Sequence, residues 1–135
     1  MTIQFSAAVR NARLDAVEVT VGTSAVIKIR SGAAPANCAT ADSGTVLSTL
    51  SLPSDWMAAA SAGAKAMSGS WTDASADATG TAAHFRLYAS DGTTCHAQGT
   101  VTATGGGGDM TVDNTSFASG QPFSITSFTL TDGNA

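Results

Sequence analysis

Residues 80–104, GTAAHFRLYASDGTTCHAQGTVTAT, read as two strands folded back on each other. In the first, Ala83, Phe85, Leu87 and Ala89 alternate with Ala82, His84, Arg86 and Tyr88. In the second, Cys95, Ala97, Gly99, Val101 and Ala103 alternate with His96, Gln98, Thr100 and Thr102. A period of two with one apolar and one polar set marks strands with a single buried face. The turn Ser90-Asp91-Gly92 joins them, and parity constrains it. A two-residue Asp-Gly turn would set Leu87 opposite His96. A three-residue loop with Gly92 in the left-handed position pairs Leu87 with Cys95 and Phe85 with Ala97, and this is the expected register.

On the N-terminal side, residues 24–30 form a strand that alternates Ala25, Ile27 and Ile29 with Val26, Lys28 and Arg30. Residues 31–43 are rich in Ala, Gly and Pro and hold Cys38, so they read as a loop passing over the surface. The next strand is 45–52, with Val46, Leu50 and Leu52 on one face, and Pro53 ends it ahead of a short helical turn at 56–60. Residues 65–72 are a further strand carrying Met67, Gly69 and Trp71 on one face. On the C-terminal side, the four glycines at 105–108 suit either a flexible hairpin tip or a place where another backbone comes close. Strands follow at 110–113 and 123–130. The last breaks parity, since Phe123 and Ile125 lie on one face and Phe128 and Leu130 on the other. Either a bulge near Thr126-Ser127 restores one apolar face or a partner covers both; bulges are common, which favours the first.

Ahead of these strands, residues 5–21 form the one helix. Ser6 can cap it, Phe5, Val9, Ala12 and Ala16 recur at helical spacing, and Gly22 is a natural stop. Its last part, Val17 to Val21, is β-branched and alternating, so a strand competes with the helix there. The element is expected to dock on a neighbour or to cover an open end of its own sheet. Together these elements predict a mainly β fold, a single antiparallel β-sandwich of jelly-roll type with an N-terminal helix. Residues 1–135 make one domain, with 1–22 as the helical segment.

Alanine supplies much of the apolar content and aromatics only 6%, so the core must come from a small set. It comprises Val26, Ile27, Ile29, Val46, Leu50, Leu52, Trp56, Trp71, Phe85, Leu87, Val101, Val112, Phe117, Phe123, Ile125, Phe128 and Leu130. Each contributes roughly 1.5–3 kcal/mol on burial before entropy is subtracted, a thin margin that leaves room for subunit or partner contacts. Only six Lys and Arg stand against ten acids, which argues against a nucleic-acid partner. No apolar run is long enough to span a bilayer, which argues against a membrane partner. The opening MTIQFSAAVRNARLD lacks the basic start and apolar centre of a secretory signal, so a cytoplasmic beginning is expected.

No reactive constellation emerges. The acids mostly sit in turns, and Asp73 and Asp77 lack the ligand spacing, central Gly and closing Glu of a calcium loop. His84 and His96 share the outward face as diagonal neighbours in the expected register. With Cys95 pointing inward there is no third zinc ligand, so they read as solvent-facing or interface histidines. No serine lies in G-x-S-x-G, and the glycine run lacks the Lys and Ser/Thr of a phosphate loop. The chain is therefore read as a non-enzyme with no catalytic, cofactor or metal residues. Cys38 and Cys95 read as two small, partly buried hydrophobes, with a disulfide left open because spacing cannot test its geometry.

The opening MTIQFSAAVRNARLDAVEVTVGTSAVIKIRSGAAP, the middle WTDASADATGTAAHFRLYASDGTTCHAQGTVTATGGGGDM and the close DNTSFASGQPFSITSFTLTDGNA resemble a family of small virion proteins of tailed bacteriophages and prophages. The resemblance implies a capsid decoration, or cement, protein on the outer capsid surface that bridges major capsid protein subunits, as a homotrimer. It supplies no binding motif. Arg10 and Arg13, with Lys28 and Arg30, are the main basic feature and are expected to face acidic patches on the shell. The alternatives are a tail or baseplate protein and, further off, a carbohydrate-binding module, for which Trp56, Trp71 and Tyr88 are few and scattered.

Overall fold

The structure, a computed structural model, describes residues 2–134. A helix, α1 (Ala7–Val21), precedes the strands β1 (Val26–Arg30), β2 (Val46–Ser51), β3 (Ala64–Ala66), β4 (Trp71–Asp73) and β5 (Gly80–Thr81). Then come β6 (His84–Tyr88), β7 (Cys95–Ala103), β8 (Met110–Val112), β9 (Ser116–Phe117) and β10 (Phe123–Thr131). The fold is mainly β. A large sheet runs β2-β1-β6-β7-β8-β10-β3 with β4 also on β10, and β5 pairs with β9 in a second, small sheet.

The sheet is mixed, not wholly antiparallel as expected, because β7 and β8 run parallel. Parallel neighbours ordinarily need a crossover of a dozen or more residues. Here the chain returns within 104–109, and the glycine run is what permits it. Gly105 and Gly107 take φ values of 84° and 80°. Gly108 donates its N–H to Thr102 Oγ1 at 2.9 Å, and Asp109 Oδ2 accepts from Thr100 N and Oγ1 at 2.8 Å. The glycines thus lie where a backbone comes close, and that backbone is the strand they have just left.

The β6–β7 hairpin forms as the alternation predicts, but two residues out of the expected register. Phe85 faces Gly99, Leu87 faces Ala97, and a bulge after Leu87 sets Tyr88 opposite Cys95. Gly92 does take the left-handed conformation, at φ 68°. The loop is longer than three residues because Asp91 Oδ1 accepts from Thr93 N and Thr94 N, and the hairpin closes at Ala89 N–H to Thr94 O. The bulge also turns Cys95 away from the core, onto the side that Tyr88 occupies.

That side is not solvent. His84, Arg86 and Tyr88 are all buried, so β6 is covered on both faces. The cover is the segment 31–45, which lies flat on the sheet instead of looping away from it. Arg86 donates to Asp42, to Asn37 O at 2.9 Å, to Thr40 O at 3.0 Å and to Gln98 Oε1 at 3.1 Å. Arg30 and the Tyr88 hydroxyl reach the same Asp42 carboxylate at 2.6 and 2.8 Å. Burial alone would raise Asp42, but the hydrogen bonds from Arg86 and Tyr88 and the charge of Arg30 outweigh it and hold the carboxyl below its ordinary value.

The core lies on the other side. Phe85 of β6 meets Phe128 of β10 edge-on at 5.5 Å between centroids. Strands three places apart in a flat sheet would stand about 14 Å apart, so the sheet curls to close this contact. Trp71 packs between Trp56 and Phe128. Leu47, fully buried, takes the place expected of Val46 because a bulge between Ile29 and Arg30 shifts β2, and Leu130 is only half-buried. The single strand expected at 65–72 splits into β3 and β4 around Gly69, φ 72°. Residues 56–60 are irregular rather than helical, with Met57 bridging to Met67. The bulge anticipated in β10 falls between Ile125 and Ser127 and leaves Thr126 Oγ1 sharing hydrogen bonds with Thr104 and Thr111.

A Cβ at position 108 would lie 2.8 Å from Thr102 Oγ1 and 3.0 Å from the Thr102 nitrogen. Gly108→Ala should therefore destabilise the fold by about 1–3 kcal/mol, read as a lower urea midpoint at unchanged m-value. An unchanged midpoint would show that the return loop does not hold the β7–β8 pair.

Candidate docking site

α1 is set locally by its ends. Ser6 Oγ accepts from Val9 N at 3.3 Å, and Gly22, at φ 92°, stops it with its N–H on Glu18 O. The competing strand at Val17 to Val21 does not form, because Leu14 and Val21 are buried and Val17 packs on the core as one helical stripe. The stripe singled out by spacing, Phe5, Val9, Ala12 and Ala16, is instead exposed. Among the described residues, the large apolar side chains left exposed are Ile3, Phe5, Val9 and Val19, all in this N-terminal element; Val19 is 81% exposed.

The helix turns this way because its polar face has more specific work inside. Segment 56–63 is mostly without strand partners, so its N–H groups need acceptors. Glu18 Oε1 takes Met57 N at 3.0 Å, Asp15 Oδ1 takes Ala60 N at 3.0 Å, and Asn11 Oδ1 takes Gly63 N at 2.9 Å. Lys65, 3% exposed, closes the joint: its Nζ meets Asp15 Oδ1 at 2.8 Å, Glu18 Oε2 at 2.9 Å and Ala58 O at 2.9 Å. Its three donors are thereby satisfied.

The titrations follow this geometry. Asp15 is held below the ordinary range by the Lys65 hydrogen bond and then by the Ala60 N–H. Burial would raise Glu18, but Lys65 and the Met57 N–H outweigh it and lower the carboxyl. Burial would lower Lys65, yet its hydrogen bonds to Asp15 and Glu18 leave it raised. Beside this joint an open groove of about 610 Å³ lies between α1 and residues 54–59. Asp15, Glu18 and Asp55 rim it, Met57 and Ala59 form its apolar wall, and Val19 links it to the exposed stripe.

The four basic residues expected to meet a partner do not form one patch. Arg10 donates to Asp132 O at 3.0 Å, and Arg13 pairs with the Asp132 carboxylate at 3.1 Å while covering the Phe5 ring. Both therefore tie α1 to the chain's C-terminal end. Lys28 sits over the Tyr88 ring, and Arg30 is buried against Asp42, out of a partner's reach. The histidines are not diagonal neighbours either. His84 is buried on Gly32 O opposite Thr100, whereas His96 is exposed at the bulge. Trp56, Trp71 and Tyr88 are all buried and form no exposed sugar-binding platform.

No protein-family model, no curated protein and no solved structure matches this chain. The site therefore rests on its own geometry.

Lys65→Met leaves the Asp15 and Glu18 carboxylates facing each other without their cation. It should lower the urea midpoint at neutral pH, by less than the loss of one partner of a fully buried pair would, because Asp15 is half-exposed. Both folded carboxyl pKa values are depressed, so this stabilisation is present above their ordinary values near 4 and is lost as pH falls through the folded ones. The gap between the urea midpoints of the native protein and the variant should therefore begin to narrow at about pH 4 and close as the pH falls further. A constant gap down to pH 2 would mean that Lys65 acts through packing alone.

Proposed function

We propose that the chain is a structural protein of a tailed-bacteriophage particle, a decoration protein that cements the head by bridging major capsid protein subunits on its outer surface. The observation that carries this reading is the orientation of α1. An amphipathic helix that completes its own domain turns its apolar stripe inward. Leu14, Val17 and Val21 do so here, and Asn11, Asp15 and Glu18 hold the helix to segment 56–63, yet a second apolar set, Val9, Ala12, Ala16 and Val19, with Phe5 just ahead of the helix, faces solvent. A contiguous exposed apolar face of this kind suits a partner.

The groove beside it indicates the chemistry of that partner. Apolar stripe and acidic rim meet at Val19, so the surface fits a shell segment that offers an apolar side chain flanked by Lys or Arg. The rim carries three acids, Asp15, Glu18 and Asp55, against the single cation Lys65, so the charge relation is the reverse of the one expected from the sequence. Several copies, as in a trimer, would present the same modest contact repeatedly, and avidity would multiply it. The sandwich reading has support in the Phe85–Phe128 contact, which brings distant strands of one sheet face to face across a core.

Purified, tagged particles examined by electron microscopy should show this protein as protrusions on the head. The double variant Val9→Asp, Val19→Asp should keep its melting temperature within a few degrees, since both sites are exposed, but bind protein-free heads at least tenfold more weakly. Added salt should weaken native binding further. Label on the tail or baseplate, or undiminished binding by the double variant, would overturn the proposal.

A further inference from the structure

Cys38 and Cys95 lie 57 residues apart in sequence, yet the Cys95 thiol donates to Cys38 Sγ at 2.9 Å. Neither sulfur is held there by the other alone. Cys38 belongs to a turn closed by Asn37, whose Oδ1 accepts from Ala39 N at 3.0 Å, Thr40 N at 3.0 Å and Thr40 Oγ1 at 3.1 Å. Arg86 grips that turn from beneath through Asn37 O and Thr40 O, one on each side of Cys38. Cys95 is brought round by the bulge in the β6–β7 pairing, which sets it opposite Tyr88. Both thiols are partly accessible. Two groups positioned by independent bonds react as an intramolecular pair, with the entropy of approach already met by the fold.

We propose that Cys38 and Cys95 are a cross-linking site. Their thiols close to an intramolecular disulfide in the presence of a disulfide oxidant such as oxidised glutathione, sealing segment 31–45 onto β6 and β7. In the first step the Cys38 thiolate attacks one sulfur of oxidised glutathione, the glutathione S–S bond breaks, and one glutathione leaves as thiolate. In the second, Cys95 loses its proton to solvent and attacks the Cys38 sulfur, expelling the second glutathione. Two protein thiols are oxidised, one glutathione disulfide is reduced to two thiols, and no other co-reactant is needed. The order follows from the hydrogen bond: the Cys95 thiol donates to Cys38 Sγ and so steadies a thiolate on Cys38, while burial and then the Cys38 thiol push Cys95 up to about 12. The Arg86 charge opposes that shift and favours the Cys95 thiolate as it forms in the second step. This cross-link is independent of the docking role of α1. A protein made in a reducing cytoplasm and later released from it would be hardened by the change of surroundings.

The test is incubation of the full chain in glutathione buffers of graded redox potential, followed by intact-mass and thermal measurements. Oxidising buffers should remove about 2 Da without a stable glutathione adduct, and raise the melting temperature by about 10 °C, reversibly with dithiothreitol. Cys38→Ser and Cys95→Ser should each abolish the mass loss and the thermal shift. Stable adducts on both cysteines, thiols that survive oxidising buffer, a disulfide between two chains, or a melting temperature that falls on oxidation would each overturn the proposal.

Discussion

A guanidinium that is 2% exposed must have its charge and donors met from within, and the way Arg86 meets this demand organises one whole side of the molecule. Gln98 on the neighbouring strand takes one donor, but the rest go to Asp42, Asn37 and Thr40 in a segment with no regular structure. That segment is therefore part of the fold and not an excursion from it. Because Asp42 also holds Arg30 and Tyr88, three side chains from two adjacent strands depend on one carboxylate. Such a network specifies a single arrangement of the segment, since a partly met version would leave buried charge unpaired.

The same economy appears where Lys65 meets Asp15 and Glu18. The chain has six Lys and Arg, and each meets an acid, a carbonyl or an aromatic ring of its own chain. Internal use of the cations leaves the acids to set the character of the surface. Of the basic side chains read in sequence as a partner-facing feature, Arg10 and Arg13 tie α1 to Asp132 and Arg30 holds Asp42 of segment 31–45, while Lys28 lies over the Tyr88 ring.

What could be read from the sequence was local. The Ser6 and Gly22 caps, the left-handed Gly92, the alternation in β6 and β7 and the compensating bulge in β10 follow from short-range parity and backbone sterics. The second covered face of β6 could not be read, because its partners are largely backbone carbonyls, which carry no mark in the sequence. The parallel β7–β8 pair hid behind a connection shorter than such pairs normally use. α1 carries two apolar sets at helical spacing, Phe5-Val9-Ala12-Ala16 and Leu14-Val17-Val21, and one polar set, Asn11-Asp15-Glu18. Hydropathy alone does not choose between the two apolar sets. The N–H groups of segment 56–63 need the polar set as acceptors, and that brings the neighbouring Leu14-Val17-Val21 set inward, because an unmet buried amide costs more than an exposed alanine gains on burial.

The orientation of α1 is thus set by the irregular segment it braces together with its Leu14, Val17 and Val21 side, which leaves Val9, Ala12, Ala16 and Val19 outside. Fully burying a large apolar side chain contributes about 1.5–3 kcal/mol; Ile3 and Val19 forgo most of that gain in the isolated chain, and Phe5 and Val9 a smaller part of it. A partner that covered them would recover only the surplus left after orientation and ordering are subtracted, so a single contact stays modest. An adhesive surface on a repetitive shell needs no more than this. In the proposed role, many modest contacts held in register by the shell would retain the protein, and each copy would remain able to seat itself without being trapped in a wrong position.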